Sequence, residues 1–218
     1  MLERDFLMRM IAQSAKALGV IMGLREQKKP DEALVLVDDY LSRELRLKSR
    51  IAMGLSDDNL LKMLSVGDVV NGESVAVLSA FLQEEAELLS DLGRTEASVP
   101  RFEKALRLNL FLLKQNADPD NWDTRPRVDR LLASLDGYDW EPETYRAVMD
   151  WHEREGRYAE AENTLFELQN VSVASNEDGT SFYQRLALLT DEELEAGGLS
   201  RFELESGLRE WNSLLKGS

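Results

Sequence analysis

Paired amphipathic segments joined by short turns are the feature that most constrains this chain. Over residues 2–27, apolar side chains recur with the helical period of about 3.6. The turn KKPDEA follows, and its Pro30 suits a first helical turn, while the two acidic residues after it suit the positive end of a helix. The sequence therefore predicts an antiparallel helical hairpin over residues 2–45.

Two further hairpins are predicted in the middle of the chain, over residues 74–115 and 142–171. Ser74 is the expected N-cap of the hairpin over 74–115, and Pro142 lies in the first turn of the hairpin over 142–171. In the hairpin over 142–171, Gly156 lies between the two helices, where a left-handed backbone conformation commonly ends a helix. Both segments therefore repeat the design of the first hairpin.

The rest of the chain is predicted as inserts over 46–73 and 116–141 and as a C-terminal helical cap over 172–218. The first insert contains a short helix capped by Ser56, followed by SVGDVVNGES as a loop. In the cap, SVASNEDGT is expected to be a loop that precedes two short helices and a closing one. With only 13 Gly and 5 Pro, the chain favours a single all-α domain over 1–218.

The three hairpins share a spacing that resembles the tetratricopeptide repeat. Small residues stand early in the second helix of each pair, at Ala33, Ser98 and Ala161, where they let two helix axes approach closely. GRYAEA and FEKALRLN are close to the consensus of that repeat. The small positions are 65 and 63 residues apart, nearly twice the usual period of about 34. The resemblance therefore implies a tetratricopeptide-like array with irregular inserts, which stand for decayed repeats or pad the stack.

Four fragments carry a resemblance that spans nearly the whole chain. They are LERDFLMRMI, LSDDNLLKML, GRYAEAENTLFEL and DEELEAGGLSRFELESGL. Together they resemble a bacterial domain-of-unknown-function family with tetratricopeptide-like helices. That resemblance implies a fold, and it implies no reaction, cofactor or partner.

Charge and composition narrow the classes of partner. The chain has 26 basic and 41 acidic residues, a net charge of −15, which repels a phosphate backbone. Residues 1–55 hold ten basic and eight acidic residues, so no basic region offsets this charge, and we expect no nucleic acid. The first segment has acidic residues where a leader needs basic ones, and no stretch approaches about 18 apolar residues. We expect a cytoplasmic protein that binds no membrane.

His152 and Glu153 open like a zinc-protease motif, but the second histidine of that motif would fall at Gly156. His152 is therefore interpreted as a packing residue. Adjacent carboxylates such as Glu84 and Glu85 point about 100° apart on a helix, and they are interpreted as charged solvent faces. We predict no catalytic residue, no metal ligand and no cofactor, and expect most of the four tryptophans in the core.

The most favoured function is non-catalytic binding of a protein or peptide. The resemblance implies a concave face lined by the first helix of each hairpin, and its net acidic character favours a neutral or basic segment. The residues that this transfer assigns to partner binding are Gln83, Glu87, Ser90, Asp91, Glu143, Arg146, Asp150, Glu153 and Arg154.

Two alternatives stay open. One is a structural subunit that self-associates, with the apolar face of the first helix as the seam of a homodimer. The other is an enzyme, or a binder of a small molecule or metal, that uses carboxylates converging from separate helices.

Overall fold

The computed structural model describes residues 2–120, 122–171 and 176–214. Nearly all of this part is helical, which confirms the all-α class. The chain divides into two compact units, residues 1–138 and 139–218, and each is described by itself. A division by contacts does not test the predicted single domain over 1–218, which stays a prediction.

Twelve helices and one two-stranded sheet make up the regular structure of the described residues. Their bounds in chain order are α1 Leu2–Glu26, α2 Pro30–Glu44, α3 Ser49–Gly54, α4 Asp57–Met63, β1 Ser65–Val66, β2 Val69–Val70, α5 Gly72–Asp91, α6 Thr95–Gln115, α7 Thr124–Ser134, α8 Pro142–Arg154, α9 Tyr158–Val171, α10 Asn176–Leu186, α11 Asp191–Ala196 and α12 Arg201–Leu214.

Packing in the first unit centres on α5. This helix contacts α1, α2 and α6, and α6 in turn contacts α7. Tyr40 of α2 stacks on Phe81 of α5 with ring centroids 4.4 Å apart. Ala33 and Ser98 are buried at the helix crossings, and the Ser98 hydroxyl donates to the carbonyl of Ala86 across the α5–α6 pair at 2.9 Å. Every side chain from 75 to 83 is buried, so α5 forms the centre of the core.

The first insert contains more structure than the sequence pattern predicts. Helix α3 has no counterpart in the prediction, and SVGDVVNGES is not only a loop, because it contains the antiparallel strands β1 and β2. Gly67 takes a φ of 65° in the two-residue turn between the paired Val66 and Val69. The prediction of Ser74 as a cap is wrong: the Asn71 side chain accepts from the amide of Ser74, so the helix begins at Gly72. Ser56 caps α4 as predicted.

A buried lysine joins this insert to α6. The Lys104 ammonium donates to the carbonyls of Ala52 at 3.1 Å and Leu55 at 2.5 Å, at the end of α3, and lies 3.6 Å from Asp57. Carbonyls at a helix C-terminus have no partner within their helix, and cations stabilise that end. Lys104 therefore stabilises the end of α3 and contacts the first turn of α4.

The second unit has its own core beneath α8 and α9. Helices α10 and α12 pack on each other, and Phe182, Leu204 and Trp211 from them join Leu165 of α9 in one apolar cluster. The prediction of SVASNEDGT as a loop is wrong for residues 176–180, which belong to α10; residues 172–175 lie outside the described part. A Cβ at residue 179 would overlap the Trp211 ring, so glycine is needed inside this helix.

The EAGGL segment does more than end a helix. The backbone amides of Tyr158 and Ala159, at the start of α9, donate to the carbonyl of Gly197 at 2.9 and 3.1 Å. Gly197 thus takes the place of an N-cap for α9 from a position far later in the chain. Thr190 and Glu193 form a capping box at the start of α11. The C-terminal helices are therefore tied to the third hairpin.

Candidate functional site

Four polar side chains lie together on the C-terminal half of α5. Gln83, Glu84, Glu87 and Asp91 follow one another at helical spacing, and we call them the acceptor surface. The Gln83 side-chain amide donates to the Glu87 carboxylate at 3.1 Å. Three of the four are among the residues predicted from the sequence, and Glu84 is not.

Arg25, near the end of α1, supplies the main cation of the acceptor surface. Its Nε donates to Asp91 at 2.5 Å, and a terminal nitrogen bonds the other oxygen of that carboxylate at 3.1 Å. The remaining terminal nitrogen pairs with Glu87. The hydrogen bond that Arg25 donates to Asp91 raises the pKa of Arg25, so its charge is fixed. Two of the three carboxylates therefore have a charged donor.

Glu84 lacks such a donor. It is half-buried, and among the described residues its Oε2 atom has no hydrogen-bond partner and no contact with solvent. The same holds for Oε1 of Gln83, a residue only 6% exposed. Burial, and to a smaller extent the neighbouring Glu87, raise the pKa of Glu84 to about 7, against the opposing effect of arginines of α1 and α7. The site therefore holds a carboxyl group that titrates near neutral pH.

The arginines of α7 flank the acceptor surface. Arg127 is half-buried over the ring of Trp122, 4.9 Å from its centroid, and donates to the carbonyl of that residue at 3.3 Å. Burial lowers the pKa of Arg127, and Arg130 lowers it further. The positive charges of Arg127 and Arg130 act on Glu84 through space. Glu84 therefore gains electrostatic stabilisation from α7, although its Oε2 accepts no hydrogen bond from the described residues.

The interpretation of Glu84 and Glu85 as solvated charges is wrong, because both are half-buried. They do diverge, as adjacent helical residues must. Glu85 lies on the other side of α5, where it pairs with Arg101 at 3.0 Å and accepts from Ser49. The sequence does contain a signal for this burial: α5 is apolar on all sides just before these residues, which is typical of a buried helix.

The other predicted residue of α5, Ser90, is exposed. The five predicted residues of α8 belong to the second unit, where α10 contacts several of them. Arg146 pairs with Asp178 at 3.1 Å, and Glu153 accepts two bonds from Arg185 at 2.6 and 2.7 Å. Two of these five residues are therefore paired with the chain's own α10.

The remaining members of the α8 set lie at the edges of that contact. Asp150 pairs with Arg154 along the same helix at 3.0 Å, and Glu143 is exposed in the first turn. Such a pair at four-residue spacing contributes little to stability. The role of all nine residues in partner binding stays a prediction.

His152 lies in a packed, half-buried position beside a tryptophan. Its ring centroid is 5.0 Å from that of Trp151, and the Arg157 guanidinium lies over the Trp151 ring, 4.0 Å from the ring centroid. Burial, and to a smaller extent Arg157, lower the pKa of His152 to about 4. Across the described residues, no group of three or more His, Cys, Asp or Glu side chains could hold a metal ion.

Comparison with known proteins adds a family and no activity. The family model of DUF6483, described as a family of unknown function, matches residues 1–216. The chain belongs to the DUF6483 family. No curated protein and no solved structure matches it. None of the helices in the described ranges of this DUF6483 member is long and apolar enough to cross a membrane.

Proposed function

We propose that this DUF6483 protein is a non-catalytic helical protein that binds a neutral or basic segment of another protein, or a peptide, at the acceptor surface of α5. We also propose that its hairpins form a tetratricopeptide-like array. The array is supported by the left-handed glycines Gly93 and Gly156 between paired helices, both with a φ of 70°, and by the buried Ala161.

One observation carries the binding proposal: the acceptor surface has more buried acceptors than donors. Arg25 satisfies Glu87 and Asp91, while Gln83 Oε1 and Glu84 Oε2 have no partner in the described part of the chain. A buried acceptor without a donor costs about 1–3 kcal/mol. A ligand that brings N–H groups, and above all a lysine or arginine side chain, supplies what this surface lacks.

The net charge acts in the same direction. A chain with a net charge of −15 attracts a basic segment over distances of about a Debye length. Because the pKa of Glu84 is raised to about 7, this group is part-protonated at neutral pH. A cation stabilises the ionised carboxylate, so binding releases a proton and becomes tighter as pH rises from about 6 to about 8.

Charge reversal tests the site. Wild-type protein, Glu87→Lys, Asp150→Lys and Glu167→Lys are used as baits in extract of the native cell, and captured proteins are quantified by mass spectrometry. Glu167 is exposed in the middle of α9, so its reversal is the matched control. We expect Glu87→Lys to lose the partner and the other two to retain it.

Folding of each bait is checked by circular dichroism. A well-folded Glu87→Lys protein that captures the same partner as the wild type would exclude the acceptor surface as the site. Loss of the partner from Asp150→Lys alone would move the site to α8.

The proton linkage gives a second test once a partner is in hand. Affinity is measured at about pH 6 and about pH 8 by isothermal titration calorimetry for the wild type and Glu84→Gln. We expect the wild type to bind more tightly at the higher pH, and the variant to lose most of this difference. An equal pH response in both proteins would show that Glu84 does not contact the bound segment.

A further inference from the structure

A groove of about 410 Å³ runs between α1 and α2 on the outer side of the first hairpin. Its apolar lining includes Val20 and Ile21 of α1 and Leu36 of α2. We propose that a second copy of this chain docks in this groove across a two-fold axis. The proposal is independent of the binding function assigned to α5.

The groove exposes apolar side chains that the fold does not cover. Val20 is 50% exposed and Leu36 is 37% exposed, although each faces the other helix across the groove. The inner side of the same hairpin is buried against α5, where Tyr40 meets Phe81. In stacked helical arrays a terminal helix pair needs a polar outer face to remain soluble as a single molecule. In this pair Val20 and Leu36 are exposed in that face, which favours a covering partner.

The groove and the acceptor surface lie on different sides of α1. On α1 the exposed lining residues Lys16 and Val20 lie nine and five positions before Arg25, about 180° and about 140° from it at about 100° per residue. Ile21 lies closer to Arg25 in angle, but it is buried at the floor of the groove. Arg25 points to α5, where it pairs with Glu87 and Asp91. Docking in the groove therefore leaves the acceptor surface free.

The charges around the groove fit a second copy better than another partner. Two molecules with a net charge of −15 repel each other, so a surface for self-association must be locally neutral. The groove is lined by Lys16, Asp39 and Arg43, and Arg43 is balanced by Glu44 at 2.7 Å. Lys16 and Asp39 then supply one charge of each sign.

A two-fold axis makes Lys16 and Asp39 complementary between two copies of the chain. A two-fold interface places residue i of one copy against residue j of the other, and j against i. Lys16 of each copy can therefore meet Asp39 of its neighbour, so that both charges are matched twice. A partner of one charge sign would match only one of the two residues.

The available area predicts a weak dimer. Over the residues whose side chains the structure describes, 9–26 of α1 and 30–44 of α2, the helices are about 27 Å and about 22 Å long, and with a width of about 10 Å each they present on the order of 500 Å² per copy. The total of about 1,000 Å² is below the roughly 1,200 Å² at which stable interfaces begin, as in weak complexes. We expect monomers at about 1 μM and mostly dimers at about 300 μM.

Sedimentation velocity over this concentration range tests the groove. We expect Val20→Asp to remain monomeric at about 300 μM, because it places a charge in the apolar centre of the contact. Val35→Asp is the matched control, since Val35 is 60% exposed on α2 and does not line the groove. It should dimerise as the wild type does. A wild type that stays monomeric throughout would overturn the proposal and leave the groove to another kind of partner.

A charge swap tests the two-fold arrangement itself. Lys16→Asp brings two carboxylates together at each contact, and Asp39→Lys brings two ammonium groups together, so each variant alone should dimerise at least about tenfold more weakly. An equimolar mixture restores opposite charges across the interface and should dimerise. A mixture that stays monomeric, or single variants that dimerise normally, would refute this arrangement. Circular dichroism confirms the folding of each variant.

Discussion

In the second hairpin the polar side of α5 lies beside arginines of α1 and α7, whereas in the third hairpin the polar side of α8 lies against α10. The second retains Glu84 and Gln83 with unpartnered buried acceptors in the described part of the chain. The third has Arg146 and Glu153 in ion pairs with Asp178 and Arg185.

This difference shows how similar helix positions can acquire different roles within one chain. Charges that are already paired with a neighbouring helix contribute little free energy to the binding of a partner, because a ligand would first have to break those bonds. Charges on α5 are only partly satisfied, so the free energy available from new donors is larger there. For this reason we place the proposed site on α5.

The largest effect is expected from Ala161→Trp, which breaks the third hairpin alone. Ala161 is fully buried where α9 crosses α8, and an indole cannot enter that space, so unfolding free energy should fall by about 1–3 kcal/mol or more. Asn163→Trp adds the same ring at an exposed position of α9 and should have little effect. Urea unfolding followed by circular dichroism measures both, and equal midpoints would contradict this description of the hairpin.

Glu84→Gln probes the second hairpin through its pH dependence. Folding raises the pKa of Glu84 from 4.5 to about 7, so the folded state holds the proton of this group more tightly than the unfolded state. The stability that this proton contributes to the wild type is lost as pH rises through about 7. The variant should be more stable than the wild type by about 1–2 kcal/mol at about pH 8 and nearly equal at about pH 4. Urea unfolding at both pH values checks this, with the exposed Glu167→Gln as control. A gap that does not widen with pH would refute it.

His152→Ala tests the third hairpin, and the effect of pH on the stability contributed by His152 has the opposite sign to that for Glu84. Because folding lowers the pKa of His152 from 6.5 to about 4, its contribution is present above pH 6.5 and is lost as pH falls towards 4. For a half-buried ring we expect this loss to be about 1 kcal/mol. The chain has no other histidine, so the variant should lose stability from packing at neutral pH but decline less between about pH 7 and about pH 5. Urea unfolding across this range measures the slope, and an unchanged slope would show that folding does not lower the pKa of His152.

Apart from the control variants, Arg185→Ala should have the smallest effect on stability. It tests how much the contact with α10 stabilises the polar face of α8. It removes both bonds to Glu153, and we expect a loss of about 0.5–1 kcal/mol because the arginine is half exposed. Arg154→Ala removes only an exposed pair within α8 and should cost less than about 0.5 kcal/mol. Thermal unfolding of the two variants decides the order, and a larger loss for Arg154→Ala would mean that α10 does not hold this face.

Much of the helix pattern can be predicted because its signals are local. Ser56 and Ser200 precede acidic first turns and accept from amides three residues later. Gly156 and Pro142 mark a helix end and a helix start at the predicted positions. Trp122, Trp151 and Trp211 are buried, as expected for large aromatic side chains.

The wrong predictions share a physical cause, which is contact with distant residues. Gly179 suggests a loop because glycine is a weak helix former, yet the Trp211 ring fills the space beside it. Gly197 does end α11, as a glycine at that place suggests, but its carbonyl also caps α9, which the local sequence does not indicate. Glu84 has the local pattern of a surface charge, although the packing around α5 half-buries it.

Local sequence signals are enough to predict the all-α class and the turns of the three helix pairs, because capping, periodicity and turn preferences act over about four residues. Which charges are exposed, paired or left without a donor depends instead on contacts between distant parts of the chain. Arg25 reaches Glu87 from 62 positions away, and Arg185 reaches Glu153 from 32. The solvation of a charge depends on everything that packs around it, so the pKa of Glu84 and the cover over α8 arise only when distant helices meet.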